Sequence, residues 1–261
     1  MALKHPLRRL LRRAGYDVVR FGPRTNALAA RIHCLRSLQV DTVIDVGANV
    51  GQFASHMRKD IGYRGRIVSF EPLAAAFREL QKRASGDADW RVYNYALGAR
   101  DDSVDLHVTA NSFSSSIRAP LPGLVAIEAD CRPVERQRIR VRTLDSVFDE
   151  VCGDAGSVYL KIDTQGFEKQ VIDGAERVLR CIHTVQMEMS LVPLYDGEPL
   201  FDGLCKLMAE RGFGLMSLEP AFVNPSTGQM LQVDGLFHRL TTPSTSSRVH
   251  ALPRNERQGS G

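Results

Sequence analysis

A chain of 261 residues, 43% hydrophobic and with a net charge of +4, is long enough for one substantial core with attachments rather than two full domains. Its five cysteines, at 34, 131, 152, 181 and 205, include no C-x-x-C pair and no metal-type spacing, which argues against a disulfide framework or zinc site and fits reduced thiols in the cytoplasm. No stretch approaches the roughly 20 apolar residues of a membrane-spanning helix, and no apolar run of the secretory type stands near the N-terminus.

Residues 3–14, LKHPLRRLLRRA, place Leu3, Leu7, Leu10, Leu11 and Ala14 at helical spacing, with Arg8, Arg9, Arg12 and Arg13 largely opposite. Residues 1–40 hold nine Lys and Arg against Asp17 alone, so this basic helical segment carries +8 and the remainder −4. A basic amphipathic helix can make peripheral contact with an anionic membrane, here the inner membrane surface, or with nucleic-acid phosphates. Its commoner use is to lay the Leu stripe across its own domain. A second helix is predicted over 25–38, with Leu28, Ile32, Leu35 and Leu38 on one face and Thr25 or Asn26 as its cap.

Residues 43–51, VIDVGANVG, read as a buried strand that breaks into a glycine turn and then a helix beginning near Asn49 and running to about residue 59. RIVSFE at 66–71 is a second strand, 73–84 a helix, and WRVYNYA at 90–96 a third strand. VDLHVT at 104–109 and RIRVR at 138–142 alternate like half-exposed strands and interrupt the α/β rhythm. Between them, NSFSSS at 111–116 and PLPG at 120–123 mark a variable acceptor-binding or lid loop. A helix capped by Thr143 covers 144–152, and SVYLKID at 157–163 is a strand followed by a helix over 167–179. IHTVQMEM at 182–189, a helix at 200–210, a strand at 213–218, a loop at 219–232 and a returning strand at 235–239 complete the domain. Residues 241–261, rich in Ser, Thr and Pro, read as a disordered tail.

A glycine turn after a strand serves many nucleotide ligands, but this one has neither G-x-G-x-x-G nor G-K-[ST]. Asp45 at the strand end would repel a pyrophosphate and suits a cationic amine. Glu71 ends the second strand where an acidic group pairs with ribose hydroxyls. A ligand with a ribose and a positive end is S-adenosylmethionine.

The stretches IDVGANVGQF, FEP at 70–72, ALG at 96–98, TLD at 143–145, KIDTQGFE at 161–168 and QMEMS…LY at 186–195 resemble the FkbM family of S-adenosylmethionine-dependent methyltransferases. The resemblance covers about 41–240 and leaves 1–40 and the tail without an inherited role. It implies the class I methyltransferase fold, a doubly wound Rossmann-like α/β sheet of seven strands with the last antiparallel, here preceded by N-terminal helices. It also implies O-methylation of hydroxyls, commonly on sugars or polyketide-type products. Carried onto this sequence, Asp45, Gly47, Asn49 and Gly51 would surround the methionine part of the cofactor, Glu71 the ribose, and Tyr95, Ala96 and Leu97 the adenine. Asp163 would stand beside the sulfonium and the acceptor.

Methyl transfer to oxygen needs alignment and a base for the hydroxyl proton, and ligands of open α/β sheets bind at the carboxyl edge. Asp163 and Glu188 finish neighbouring strands there, so one is the expected base. Alternatively, the pair holds a divalent cation such as Mg that lowers the acceptor's pKa, although two carboxylates are few ligands. Tyr195, Asp196 and the serine run 112–116 are acceptor-site candidates, and His56 reads as a surface histidine. The expected acceptor is a small molecule or a glycolipid or glycoside sugar. Two other readings stay open. A nucleic-acid methyltransferase is disfavoured because KIDTQGFE occupies the place of [DNS]-P-P-[YF], and a nicotinamide-dependent oxidoreductase or non-catalytic nucleotide-binding module belongs to a different class.

Overall fold

The structure is a computed structural model that describes residues 5–153 and 155–240; the predicted tail lies outside them. Two helices open the described chain, α1 (His5–Arg13) and α2 (Ala27–Ser37), the second capped by Asn26, whose side chain accepts from Ala29 N at 3.0 Å. Then follow β1 (Thr42–Val46), α3 (Gln52–His56), β2 (Arg66–Phe70), α4 (Ala74–Ala84), β3 (Trp90–Tyr93), β4 (Ala96–Leu97) and β5 (Asp102–Thr109). The middle carries α5 (Pro122–Ile127), β6 (Pro133–Arg142), α6 (Leu144–Val151), β7 (Val158–Ile162) and α7 (Glu168–Asp173). The last elements are β8 (Ile182–Ser190), α8 (Phe201–Glu210), β9 (Phe213–Val223) and β10 (Met230–Arg239).

Seven strands form one sheet in the order β3-β2-β1-β7-β8-β10-β9, with β10 antiparallel to both of its neighbours and the other pairs parallel. This is the class I methyltransferase sheet. Every residue of β1 and β7 is buried, as parallel strands covered on both faces require. One face, carrying Val43, Tyr159 and Leu236, packs under Cys34 and Leu35 of α2, Ala54 of α3 and Leu80 of α4. The other, carrying Ile44, Leu160 and Val185, packs against α6, α7 and α8 through Val147, Ile172 and Leu204.

The interruption at 104–109 and 138–142 is a second sheet, β4-β6-β5, with Leu106, Ile139 and Val141 turned inward. The predicted third strand at 90–96 therefore divides between two sheets. Asn94 makes the break, its side chain donating to the carbonyls of Glu71 at 2.9 Å and Pro72 at 3.1 Å. The helix expected from Asn49 starts at Gln52, because Asn49 and Gly51 both adopt positive φ, and its last turn is a π-turn over Met57–Ile61. The helix expected over 167–179 ends at Asp173: a Cβ on Gly174 would lie 1.9 Å from the Gly98 carbonyl oxygen, so the chain bends there to let two backbones touch. The loop expected at 219–232 shrinks to 224–229, since β9 and β10 extend into it as a hairpin. Thr143 caps α6 as expected.

Candidate active site

β7, β8 and β10 bring Lys161, Gln186, Glu188 and Asp234 to one cavity of about 450 Å³, which Val46 of β1 and Phe70 of β2 also line. The register sets Asp45 beside Lys161, Lys161 beside Gln186, and Glu188 beside Asp234, so alternation turns these five side chains to one face of the sheet. The turn after β1 supplies Gly47, Ala48 and Asn49 to the cavity wall. Gly47 has φ +77, and a Cβ there would sit 1.8 Å from the Asp163 backbone oxygen; only glycine lets this turn press against the end of β7.

Glu71 reaches the same wall at 6% exposure and accepts backbone N–H groups on both oxygens, Asn49 at 2.8 Å and Leu73 at 2.7 Å. Burial raises its pKa to about 7, against the pull of those two hydrogen bonds. Each oxygen retains a lone pair for a ligand hydroxyl. Pro72, Ala96, Leu97 and Leu106 give this end an apolar lining.

At the other end Asp163 accepts Lys161 Nζ on Oδ2 at 3.1 Å and Gln165 Nε2 on Oδ1 at 2.8 Å. Gln165 Nε2 also donates to Glu188 Oε2 at 2.7 Å, and Gln232 donates to the same oxygen at 2.9 Å. The Gln165 amide is held in that sense by Tyr195, whose hydroxyl donates to its Oε1 at 2.6 Å. Gln165 is a non-glycine residue at φ +56, a strained conformation of the kind found at functional sites. Glu188 faces Asp163 and Asp234, and desolvation together with these like charges lifts its pKa well above the usual carboxylate range. Of the two expected candidates for base, Asp163 is the one so placed beside a cation.

The bridging amide also answers the metal question. Its N–H groups hold oxygens of Asp163 and Glu188 that a cation would need, and among the described residues no group of three His, Cys, Asp or Glu side chains is arranged to hold a metal. The donor set does not fit a divalent ion, and no step below passes through one.

Three residues expected at the ligand lie behind the wall, Tyr95 among them, packed on the Phe70 and Tyr93 rings at centroid distances of 5.4 and 5.8 Å. Asp45 is fully buried, with Oδ2 accepting from Ser69 Oγ at 3.4 Å and Oδ1 3.6 Å from Lys161 Nζ; being inside β1 rather than at its end keeps it from the cavity. Gly51 faces the core, where a Cβ would meet Leu80 and Trp90. Asn49, Gly47, Glu71, Ala96, Leu97, Asp163 and Glu188 line the cavity, whereas Tyr195 is beneath it and Asp196 is exposed. His56 pairs with Asp60 at 2.7 Å, away from the site.

Several lining residues were not foreseen. Lys161 is buried between Asp45 and Asp163 and lies 5.4 Å from the Phe53 ring centroid. Burial works against its ammonium, but the Asp163 and Asp45 carboxylates outweigh it and raise its pKa. Gln186, held by Tyr159 at 2.6 Å, and Asp234 add polar groups. Arg31 of α2 adds a guanidinium paired to Glu219 at 3.3 Å. A lone Lys inside an otherwise apolar strand was the available signal.

The loop between β5 and α5 roofs the cavity. Ser112 bonds the Asn49 side chain at 3.2 Å and Ser116 donates to the Gln165 carbonyl at 2.6 Å, which ties the loop to both ligand-facing turns. Ser115 accepts from Thr109 N at 3.1 Å. Three hydroxyls of the serine run thus anchor the loop, and Phe113 enters the lining at 60% exposure.

A family model for the methyltransferase FkbM domain matches residues 45–215. No curated protein matches the sequence. Among solved structures, the methyltransferase FkbM from Methylobacillus flagellatus KT is 14% identical with a TM-score of 0.46, over 76% of this chain and 43% of that one. This chain therefore spans less than half the length of that protein. Magnesium protoporphyrin IX methyltransferase from Synechocystis PCC 6803, with bound S-adenosylmethionine, is 10% identical at a TM-score of 0.44, over 91% of this chain and 92% of that one. Aeropyrum pernix fibrillarin, in complex with S-adenosyl-L-methionine, is 13% identical at 0.43, over 76% and 66%. With a family match over well more than half its length and the seven-stranded sheet that the family requires, the chain belongs to the FkbM family of S-adenosylmethionine-dependent methyltransferases.

Proposed function

We propose that the protein O-methylates a hydroxyl on a sugar of a glycolipid or glycoside, a polyketide-type product being the second acceptor class. The observation that carries this is the ion-paired Asp163 in the cavity wall, which it shares with several hydrogen-bonding side chains. Gln52, Gln186, Asp234 and Arg31 offer donors and acceptors suited to several hydroxyls, and the Phe53 and Phe113 rings suit the C–H faces of a sugar.

Bound S-adenosylmethionine supplies an electrophilic methyl group on a sulfonium. Gly47, Ala48 and Asn49 would hold its methionine portion, Glu71 the ribose hydroxyls, and Pro72, Ala96 and Leu97 the adenine. Asp163 orients the acceptor hydroxyl in line with the methyl and takes its proton as the oxygen–carbon bond forms and the sulfur–carbon bond breaks. Lys161 fixes the Asp163 carboxylate from one side and Gln165 from the other. Asp45 acts through Lys161 rather than on the ligand. The free thiols of the five cysteines support placing the reaction in the cytoplasm.

Incubation with methyl-labelled S-adenosylmethionine and separate lipid, glycan and RNA fractions tests the acceptor: label is expected in sugar-bearing material. Label in RNA alone would overturn the substrate class. Calorimetry showing tight NAD(H) binding without methyl-donor binding would remove the cofactor assignment.

A further inference from the structure

We infer that residues 8–24 are a docking arm for an anionic lipid surface. Among the described side chains of α1, Leu10 is 63% exposed and Leu11 half-buried, and no described residue before Cys34 belongs to a hydrophobic core cluster. The segment after α1 continues the pattern, with Tyr16 at 70%, Phe21 at 61%, and Val18 and Val19 also exposed.

The arm has a defined shape. Tyr16 N donates to the Leu11 carbonyl at 2.9 Å, and Asp17 accepts from Arg8 at 2.7 Å and Arg12 at 2.8 Å, so the chain folds back beside α1. Asp17 thereby takes up two guanidiniums. Arg9, Arg13, Arg20 and Arg24 are exposed and make no side-chain hydrogen bond or ion pair within the described residues.

Exposed aromatic and aliphatic side chains interleaved with unpaired arginines match the headgroup boundary of a bilayer, where rings enter the acyl edge and guanidiniums meet lipid phosphates. Nucleic acid would satisfy the arginines and leave Leu10, Val18, Val19 and Phe21 in water. A second copy would set four unpaired cations against four. Among the described residues no helix is long and apolar enough to cross a membrane, so the contact is peripheral.

The arm leads directly into α2, and Arg31, which lines the cavity, lies only about 6 Å along the helix axis from its first residue. Docking would therefore bring the acceptor end of the cavity close to the lipid surface, where a membrane-borne sugar would be presented. This last step rests on the acceptor class proposed above; the docking itself does not.

The test is flotation of the full chain with vesicles of phosphatidylcholine alone and of phosphatidylcholine mixed with phosphatidylglycerol, without any acceptor. Binding to the anionic vesicles is expected at least tenfold above the neutral ones, and replacing Arg9, Arg13, Arg20 and Arg24 by Gln should lower it on the order of a hundredfold. Leu10→Ser with Phe21→Ser should also lose about tenfold. Calorimetric S-adenosylmethionine affinity, unchanged in these variants, reports an intact domain, and its absence from the parent protein would count against the donor assignment alone. No flotation with anionic vesicles overturns the proposal. So does binding indifferent to the Leu10 and Phe21 changes but displaced by an oligonucleotide, or an arm-dependent dimer in place of vesicle binding.

Discussion

The side-chain amide of Gln165 donates to Glu188 Oε2 at 2.7 Å, and the same nitrogen donates to Asp163 Oδ1 at 2.8 Å. One neutral side chain thus links Asp163, just past the end of β7, to Glu188, two residues short of the end of β8. Gln165→Glu would replace the shared donor with a third acid, and like-charge repulsion would push the group apart. Turnover at neutral pH should fall about a hundredfold, with partial recovery at lower pH as the new acid becomes a donor, while S-adenosylmethionine affinity changes little. A kcat profile identical to the parent's would show that the bridge is idle.

Asp45 and Lys161 form a buried pair 3.6 Å apart, both almost wholly removed from solvent. Lys161 keeps the Asp163 carboxylate at 3.1 Å, so Asp45→Ala removes one of its two partners and should lower unfolding free energy by about 1–3 kcal/mol in urea titrations. Donor affinity should weaken by less than about tenfold, because Asp45 does not reach the cavity. Abolished donor binding with unchanged stability would instead place Asp45 on the ligand.

Glu71 titrates at about 7 in the fold because burial disfavours its charge. A carboxyl whose folded pKa exceeds its unfolded value binds more protons when folded, so its contribution is fully present below about pH 4.5 and is lost as pH rises through about 7. In melting curves between those values, the parent should lose stability with rising pH more steeply than Glu71→Gln. Donor affinity should move the other way, strengthening as the carboxylate ionises to accept ribose hydroxyls. Parallel melting profiles for the two proteins would contradict the assignment.

Much of this was legible before the structure. β1, β2 and β7 are covered on both faces and announce themselves as largely apolar runs, and β8 as a longer strand of apolar residues interleaved with polar ones. Asp163, Glu71 and Glu188 stand out as acids at or near the ends of such runs. The second sheet was half visible: the alternation of 104–109 and 138–142 signals strands, but alternation says nothing about partners, and only the pairing Asp105 with Arg138 reveals a separate sheet. Lys161, Gln186 and Asp234 were hidden because a polar residue within a buried strand gains meaning only when register turns it to the same face as another. Asp45 was misplaced by a single residue, since β1 runs on to Val46. The break at Gly174 depended on a contact with Gly98, which helical periodicity cannot register.

Asp163 is proposed to take the proton of a sugar hydroxyl as the methyl group is transferred. Parent protein and Asp163→Asn, each given methyl-labelled S-adenosylmethionine and the sugar-bearing lipid fraction, test it most directly. An alkali-stable methyl ether on a sugar is expected from the parent, and from Asp163→Asn equal donor affinity with transfer reduced about 10²–10⁴-fold. Equal transfer by the two proteins, or label confined to RNA, would contradict it.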